Sequence, residues 1–197
     1  MSSAAPPGRG PKVRAAVLAA TVDELSEHGY AALTVEKVAR RAGVHKTTVY
    51  RRWPDRDVLI ADALAESVAA DLPIPDTGAI DSDLSSLARS LVVWVKSPGG
   101  RAILAVMLSD AVGLARPPDQ IRHVFRDRIR GALPVVERAI GRGELPTGTN
   151  AAELLKTMVA PIYLRALITG EPLTESTADS AARLALTAAH AGLFESE

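Results

Sequence analysis

The sequence predicts an all-α protein, and three observations carry that expectation. Hydrophobic residues make up 47% of the 197-residue chain, enough to bury a real core in one domain or two small ones. Aromatic residues contribute only 4% while Ala and Leu recur throughout, a composition that favours packed helices over a strand-rich sandwich. Apolar positions then repeat with helical spacing in one segment after another.

Composition also removes several function classes. With no cysteine in the chain, disulfides, thiol nucleophiles and cysteine-based metal sites are excluded, and a reducing cytoplasm is the compatible compartment. Met1 to Pro11 lacks the apolar stretch of a signal peptide, and no later window reaches the roughly 18 apolar residues of a membrane span. Formal net charge is zero, yet it is segregated: residues 1–60 hold 10 Lys or Arg against 6 Asp or Glu, and the remainder 13 against 17. A basic N-terminal end can be drawn to phosphate while the rest of the molecule is mildly acidic.

The first helix is expected from about Lys12 to His28, with Val13, Val17, Leu18, Val22 and Leu25 at helical spacings and Gly29 as its stop. Thr34 can cap a second helix, Val35 to Ala42, and Gly43 supplies a permissive backbone for a tight turn. A third helix, about Lys46 to Trp53, places Val49 and Trp53 four apart on an inward face before Pro54 and Asp55 stop it. Two short helices around one turning glycine form a helix-turn-helix pattern. Val38 and Ala39 against Val49, over Val17 and Leu33, would make a small three-helix core. The expected divisions are a flexible basic arm at 1–11, a helix-turn-helix domain at 12–56, a linker helix at 57–70 and a helical remainder at 71–197.

In that remainder, Leu72 to Ala79 reads as a loop because of Pro73, Pro75 and Gly78. Leu84, Leu87, Leu91, Val92 and Val95 define a helix ending near Ser97 to Gly100, and a short apolar helix is expected over 101–112. Gly113, Pro117 and Pro118 break the chain before a helix from Ile121 to about Gly141, which Pro134 should bend. Two last helices span roughly Ala151 to Thr169 and Thr177 to Phe194. The last is rich in small residues, which permits close packing on more than one side, as a helix shared between its own core and a partner subunit requires.

The segment Val44 to Trp53 is the most informative. Lys46, Thr47, Thr48, Tyr50, Arg51 and Arg52 concentrate hydrogen-bond donors around a short helix whose large apolar groups, Val49 and Trp53, face inward. Such a helix can enter the DNA major groove, its first turn facing base edges and its flanks facing phosphates. Lys46 suits guanine acceptors, and Thr47 and Thr48 offer hydroxyls or methyls to bases. Tyr50, Arg51 and Arg56 suit positioning against the backbone. His45, just before the helix, reads as a cap or turn residue. Arg9 and Arg14 flank the first helix, and Gly8 to Pro11 reads either as a minor-groove arm or as a plain disordered tail.

From Ala15 to Leu64 these residues resemble the DNA-binding domain of the TetR family of bacterial transcriptional regulators. The matching pieces are Ala16 to Gly29, Leu33 to Val44 (LTVEKVARRAGV) and Thr48 to Leu59 (TVYRRWPDRDVL). His45 stands where the family usually has Ser or another small residue, Thr47 where Gly or Ala is common, and Arg52-Trp53 where His-Phe is usual. Trp preserves the inward wedge, so these departures bear on base preference and not on fold. The resemblance implies backbone contacts at Thr34, Tyr50 and Arg56 and a base-reading turn at His45 to Thr48. It further implies about nine helices, a two-fold homodimer through 151–169 and 177–194, a ligand cavity in each C-terminal domain, and repression of a near-palindromic operator.

For that cavity the apolar candidates are Trp94, Ile103, Met107, Leu108, Phe125, Ile129, Met158, Ile162 and Tyr163, with Trp94 and Tyr163 each offering one polar handle. They suggest a moderately hydrophobic organic effector and no cofactor or metal. His123, His190 and Asp110 are isolated, and no local motif marks a nucleophile, base and orienter. An all-helical enzyme and a helical dimerisation or adaptor protein without DNA binding are the competing readings. Turnover would mark the first, and absence of salt-sensitive duplex binding the second.

Overall fold

The computed structural model of the chain describes residues 9–111 and 119–195, with the backbone alone at 9, 70, 71, 106–111, 119–122, 124 and 125. The described residues form helices α1 (Arg9–Ala32), α2 (Val35–Arg41), α3 (Lys46–Tyr50), α4 (Arg56–Asp71), α5 (Ile80–Lys96), α6 (Pro98–Ala111), α7 (Asp119–Gly141), α8 (Ala151–Leu164) and α9 (Glu175–His190). The fold is all-α, as expected. No helix among the described residues is long and apolar enough to cross a membrane. Two compact units emerge, Met1–Ser67 with Arg101–Val124, and Val68–Gly100 with Phe125–Glu197.

In the first unit, α1 begins at Arg9, three residues ahead of the expected start. Pro11 fits its first turn because an N–H there has no intrahelical partner to lose. The regular helix breaks at Gly29, whose φ of 75° only glycine adopts readily, so the predicted stop is real although three further residues remain helical. Val17, Leu33, Val38, Ala39 and Val49 are all buried, giving the predicted core of α1, α2 and α3. Asp55 starts α4, its Oδ1 accepting from the Asp57 and Val58 amides at 2.9 Å.

In the second unit, α9 packs against both α5 and α8. Ala178, Ala181, Ala182, Ala185 and Ala189 are buried along it, and their small volumes let the backbones approach. A two-pronged ion pair, Arg89 Nε and Nη2 to the Asp179 carboxylate at 2.8 and 2.9 Å, closes the α5–α9 seam. Buried Asp83 accepts from the amide and hydroxyl of Thr77, both at 2.8 Å, which folds the Pro-rich loop back onto α5.

Further boundaries differ from the sequence reading, among them the end of α9, which stops at His190 and not at Phe194. Ser97-Pro98-Gly99-Gly100, read as a terminator, instead starts α6: Ser97 Oγ accepts from the Gly100 amide at 3.0 Å and Pro98 occupies the first position. The α-helix from Ala151 ends at Leu164 and continues as a π-helical turn, Arg165–Thr169. Finally, α9 starts at Glu175, two residues early, because Thr174 and Thr177 form a reciprocal capping box.

Candidate nucleic-acid interface and effector cavity

The helix-turn-helix is built by local hydrogen bonding. Thr34, exposed, caps α2 by accepting from the Lys37 amide at 3.3 Å. At its other end, the Gly43 amide donates to Arg40 O at 3.2 Å and the Val44 amide to Ala39 O at 3.0 Å, with Gly43 left-handed at φ 65°. This paired closure, a Schellman motif, fixes the chain direction into α3. His45 is the N-cap of α3, its Nδ1 2.9 Å from Thr47 Oγ1, as the cap reading expected. The α-helix is shorter than predicted, ending at Tyr50, because the Arg52 and Trp53 amides both donate to Val49 O at 3.0 and 2.9 Å and tighten the final turn.

Val49 is 0% and Trp53 3% exposed, so both anchor α3 as predicted. Trp53 Nε1 donates to Asp62 Oδ2 at 2.9 Å, Asp62 Oδ1 accepts from Arg14 Nη2 at 2.9 Å, and Arg14 Nη1 reaches Glu66 Oε2 at 2.9 Å. This chain ties α1, the turn after α3, and α4 together. A second tie joins Tyr30, whose hydroxyl donates to Asp57 Oδ1 at 2.8 Å, with Arg56, whose guanidinium lies 4.5 Å from the Tyr30 ring centre. Burial, reinforced by Asp57, raises the Tyr30 phenol above its ordinary value. A third joins α2 to α1, with Arg41 Nε 2.9 Å from Glu24 and its terminal nitrogens on Glu27.

The cations left after this pairing are informative. His45, Lys46, Thr47, Tyr50 and Arg51 are exposed and Thr48 is half-buried, so the predicted base-reading turn lies on one open surface. Among the described residues the Lys12, Lys37, Arg40, Lys46, Arg51 and Arg52 side chains have no ion-pair partner; Lys37 donates to Ala32 O, Arg52 lies 5.6 Å from the Trp53 ring centre, and Lys46, Arg51 and Arg52 are the three on or just after α3. Beside them a groove of about 400 Å³ is lined by Gly10, Val13, Arg14, Thr48, Arg51, Arg52 and Trp53. Arg14, expected at the DNA, instead has both terminal nitrogens on carboxylates of α4. Arg56 retains a partly exposed guanidinium but is held by Tyr30 and Asp57. The Arg9 side chain lies outside the described residues. The supporting residues Asp62, Glu66, Tyr30 and Glu24 were not anticipated; the only signal was the four-residue spacing of Asp62 and Glu66 on one helix face.

In the second unit a cavity of about 190 Å³ is lined by Leu72, Leu87 and Leu91, by Arg128, Ile129 and Ala132 of α7, and by Leu155, Lys156, Met158, Val159 and Tyr163 of α8. It brings together Ile129, Met158 and Tyr163 from the expected set. Trp94 and Ile162 are instead packed in the core of this unit and Ile103 is buried in the other; the carbonyl of Trp94 lies against Gly100, where α5 turns into α6. The side chains of Met107, Leu108 and Phe125 lie outside the described residues. Burial pushes the Tyr163 phenol up to about 12, and burial likewise holds the Arg128 guanidinium below its ordinary value. Among the described residues no cluster of His, Asp or Glu could hold a metal ion.

Two family profiles match the chain: "Bacterial regulatory proteins, tetR family" over residues 17–63, and "Tetracyclin repressor-like, C-terminal domain" over residues 74–185. The HTH-type transcriptional regulator AqdR of Rhodococcus erythropolis is 31% identical over 183 residues, covering 91% of this chain and 86% of its own. An uncharacterized HTH-type transcriptional regulator of Bacillus subtilis, YdeS, is 30% identical over 161 residues, covering 82% and 81%. Among solved structures, the TetR family transcription regulator SCO0332 superposes with a TM-score of 0.72 at 30% identity, over 89% of this chain and 97% of that one. With a helix-turn-helix whose third helix is anchored by Val49 and Trp53, and with matches running from residue 17 to residue 185, the chain belongs to the TetR family of DNA-binding transcriptional regulators.

Proposed function

We propose that this regulator binds a near-palindromic operator as a homodimer, with α3 of each protomer in the major groove, and represses transcription until a small, mostly apolar ligand releases it. One observation carries the DNA-facing part of this reading: Lys46 and Arg51 have no ion-pair partner among the described residues, whereas Arg14 and Arg41 of the same unit are each paired with two carboxylates. Exposed cations without counter-ions suit phosphate and guanine. In this reading Lys46, Thr47 and Thr48 face base edges, His45 orients Thr47, and Thr34, Tyr50, Arg51 and Arg56 position the backbone. Arg14 holds α1 to α4.

In this reading the dimer forms through α8, the π-helical turn Arg165–Thr169 that follows it, and α9. Leu164, Ile168 and Leu184 there are 52%, 68% and 59% exposed, an apolar surface that a partner subunit would cover. The recognition helices of such a dimer would lie about 34–36 Å apart, one turn of DNA. Ligand in the second unit would favour a dimer of the wrong spacing, through a coupling of typically about 1–3 kcal/mol. Selection of duplexes from a random pool should return two-fold sites. Lys46→Ala and Tyr50→Phe should weaken binding to them with fold and dimer intact. Unchanged affinity in both variants, in gel-shift titrations at fixed salt, would overturn the assignment.

A further inference from the structure

The wall of the 190 Å³ cavity is apolar at Leu87, Leu91, Ile129 and Met158 but also carries two cationic side chains, Arg128 and Lys156. Their situations differ. Lys156 has its ammonium 2.7 Å from Glu153, one turn earlier on α8. Arg128 is half-buried, and among the described residues no carboxylate pairs with it. The group beside it that could carry negative charge is Tyr163, a phenol already neutral at physiological pH and pushed further up by burial. A guanidinium taken partly out of water without a counter-ion is unfavourable in the empty protein, and the cost is recovered when an anion arrives.

We propose that Arg128 is the anion-binding group of this cavity and that the effector is a small monocarboxylate with an apolar body. This rests on the reading of the second unit as the effector domain. A carboxylate matches the fork of one guanidinium with two parallel hydrogen bonds. A phosphate dianion would call for a second free cation, and Lys156 is already neutralised by Glu153. Size narrows the class further: a cavity of roughly 150 Å³ admits benzene, so this one suits a single ring or a medium-length acyl chain ending in the acid. Neutral hydrocarbons would leave Arg128 desolvated and unpaired, and are discriminated against for that reason.

The test is calorimetric titration of the full-length protein with 3-phenylpropionate and octanoate, each against its primary amide. Wild type, Arg128→Met and Arg128→Lys are compared, and toluene serves as an uncharged probe of the cavity. The acids should bind wild type at least tenfold more tightly than the amides. That gap should close in Arg128→Met, which should unfold at or above the wild-type temperature once the unpaired charge is gone, and survive in part in Arg128→Lys. Equal affinity for acid and amide in wild type, or an acid preference unchanged in Arg128→Met, would overturn the proposal. If toluene alone binds, the cavity stands and the anion assignment fails; if nothing binds, the effector-domain reading fails with it. Carboxylate binding that leaves operator affinity untouched would instead support the site while refuting release by ligand.

Discussion

Replacing Arg51 and Arg14 separately by Ala separates a cation that faces solvent from one that braces the fold. Binding that displaces condensed counterions gives a logarithmic salt slope of about 0.9 per phosphate neutralised. A two-fold dimer loses two such contacts when Arg51 is removed, so the slope for Arg51→Ala should be shallower by about 1.8. Arg14→Ala should leave the slope unchanged, because its terminal nitrogens sit 2.9 Å from Asp62 and Glu66. Those pairs are partly exposed, which limits each to roughly 0.2–1 kcal/mol. The variant should therefore lose on the order of 1 kcal/mol of stability, with Trp53 still donating to Asp62. The assay is fluorescence anisotropy with a selected operator duplex at salt concentrations from about 50 to about 200 mM, paired with urea unfolding of each variant. A slope for Arg14→Ala that falls as far as that for Arg51→Ala would refute the division of cations drawn from the structure.

Gly43 holds φ at 65° with open space around its α-carbon, so Gly43→Ala should cost about 1–2 kcal/mol through backbone strain alone. Gly43→Asn should cost less, and urea midpoints would show whether that order holds. At Gly100 a Cβ would fall 2.0 Å from Trp94 O and 2.8 Å from Trp94 C, both backbone atoms. Gly100→Ala should therefore lower stability by about 1–3 kcal/mol, and a thermal midpoint equal to wild type would refute that packing. The Glu144 carboxyl is held below its ordinary value first by Arg142 and then by the Ile80 amide, which donates to it at 2.6 Å. A depressed carboxylate contributes stability above its unfolded pKa and loses it as pH falls through the lower folded value. Glu144→Gln should accordingly be less stable at neutral pH and show a flatter loss of stability below about pH 5, measured by denaturant titration across pH.

The fold was legible where a single periodicity or a single turn residue decides the outcome. Helical spacing of Val13, Val17, Leu18, Val22 and Leu25 located α1, and Gly43 after Ala42 located the turn into α3. Boundaries failed where one residue type serves opposite purposes. Pro-Gly-Gly reads as a stop, but Ser97 ahead of Pro98 is also a cap and first-turn pair, and only the Ser97–Gly100 bond decides between them. The π-helical turn at Arg165–Thr169 has no comparable signature, although Pro161 one turn earlier already removes a backbone donor from α8.

The site was legible in its composition and illegible in its pairing. Counting charges along residues 1–60 finds a basic surplus but cannot say which cations are available, because Asp62 and Glu66 approach Arg14 from more than forty positions away and lie beyond residue 60. Once those pairs are drawn, Lys12, Lys37, Arg40, Lys46, Arg51 and Arg52 are left without an ion pair among the described residues, and three of these six lie on α3 or in the turn that follows it. The same reasoning governs the cavity, where Ile129, Met158 and Tyr163 were foreseen from their apolar character while Arg128 was not among the candidates. Periodicity reports whether a side chain faces the core. Whether a buried charge there is satisfied depends on residues from other helices, and that accounting makes Arg128, and not the larger Trp94, the residue to mutate first.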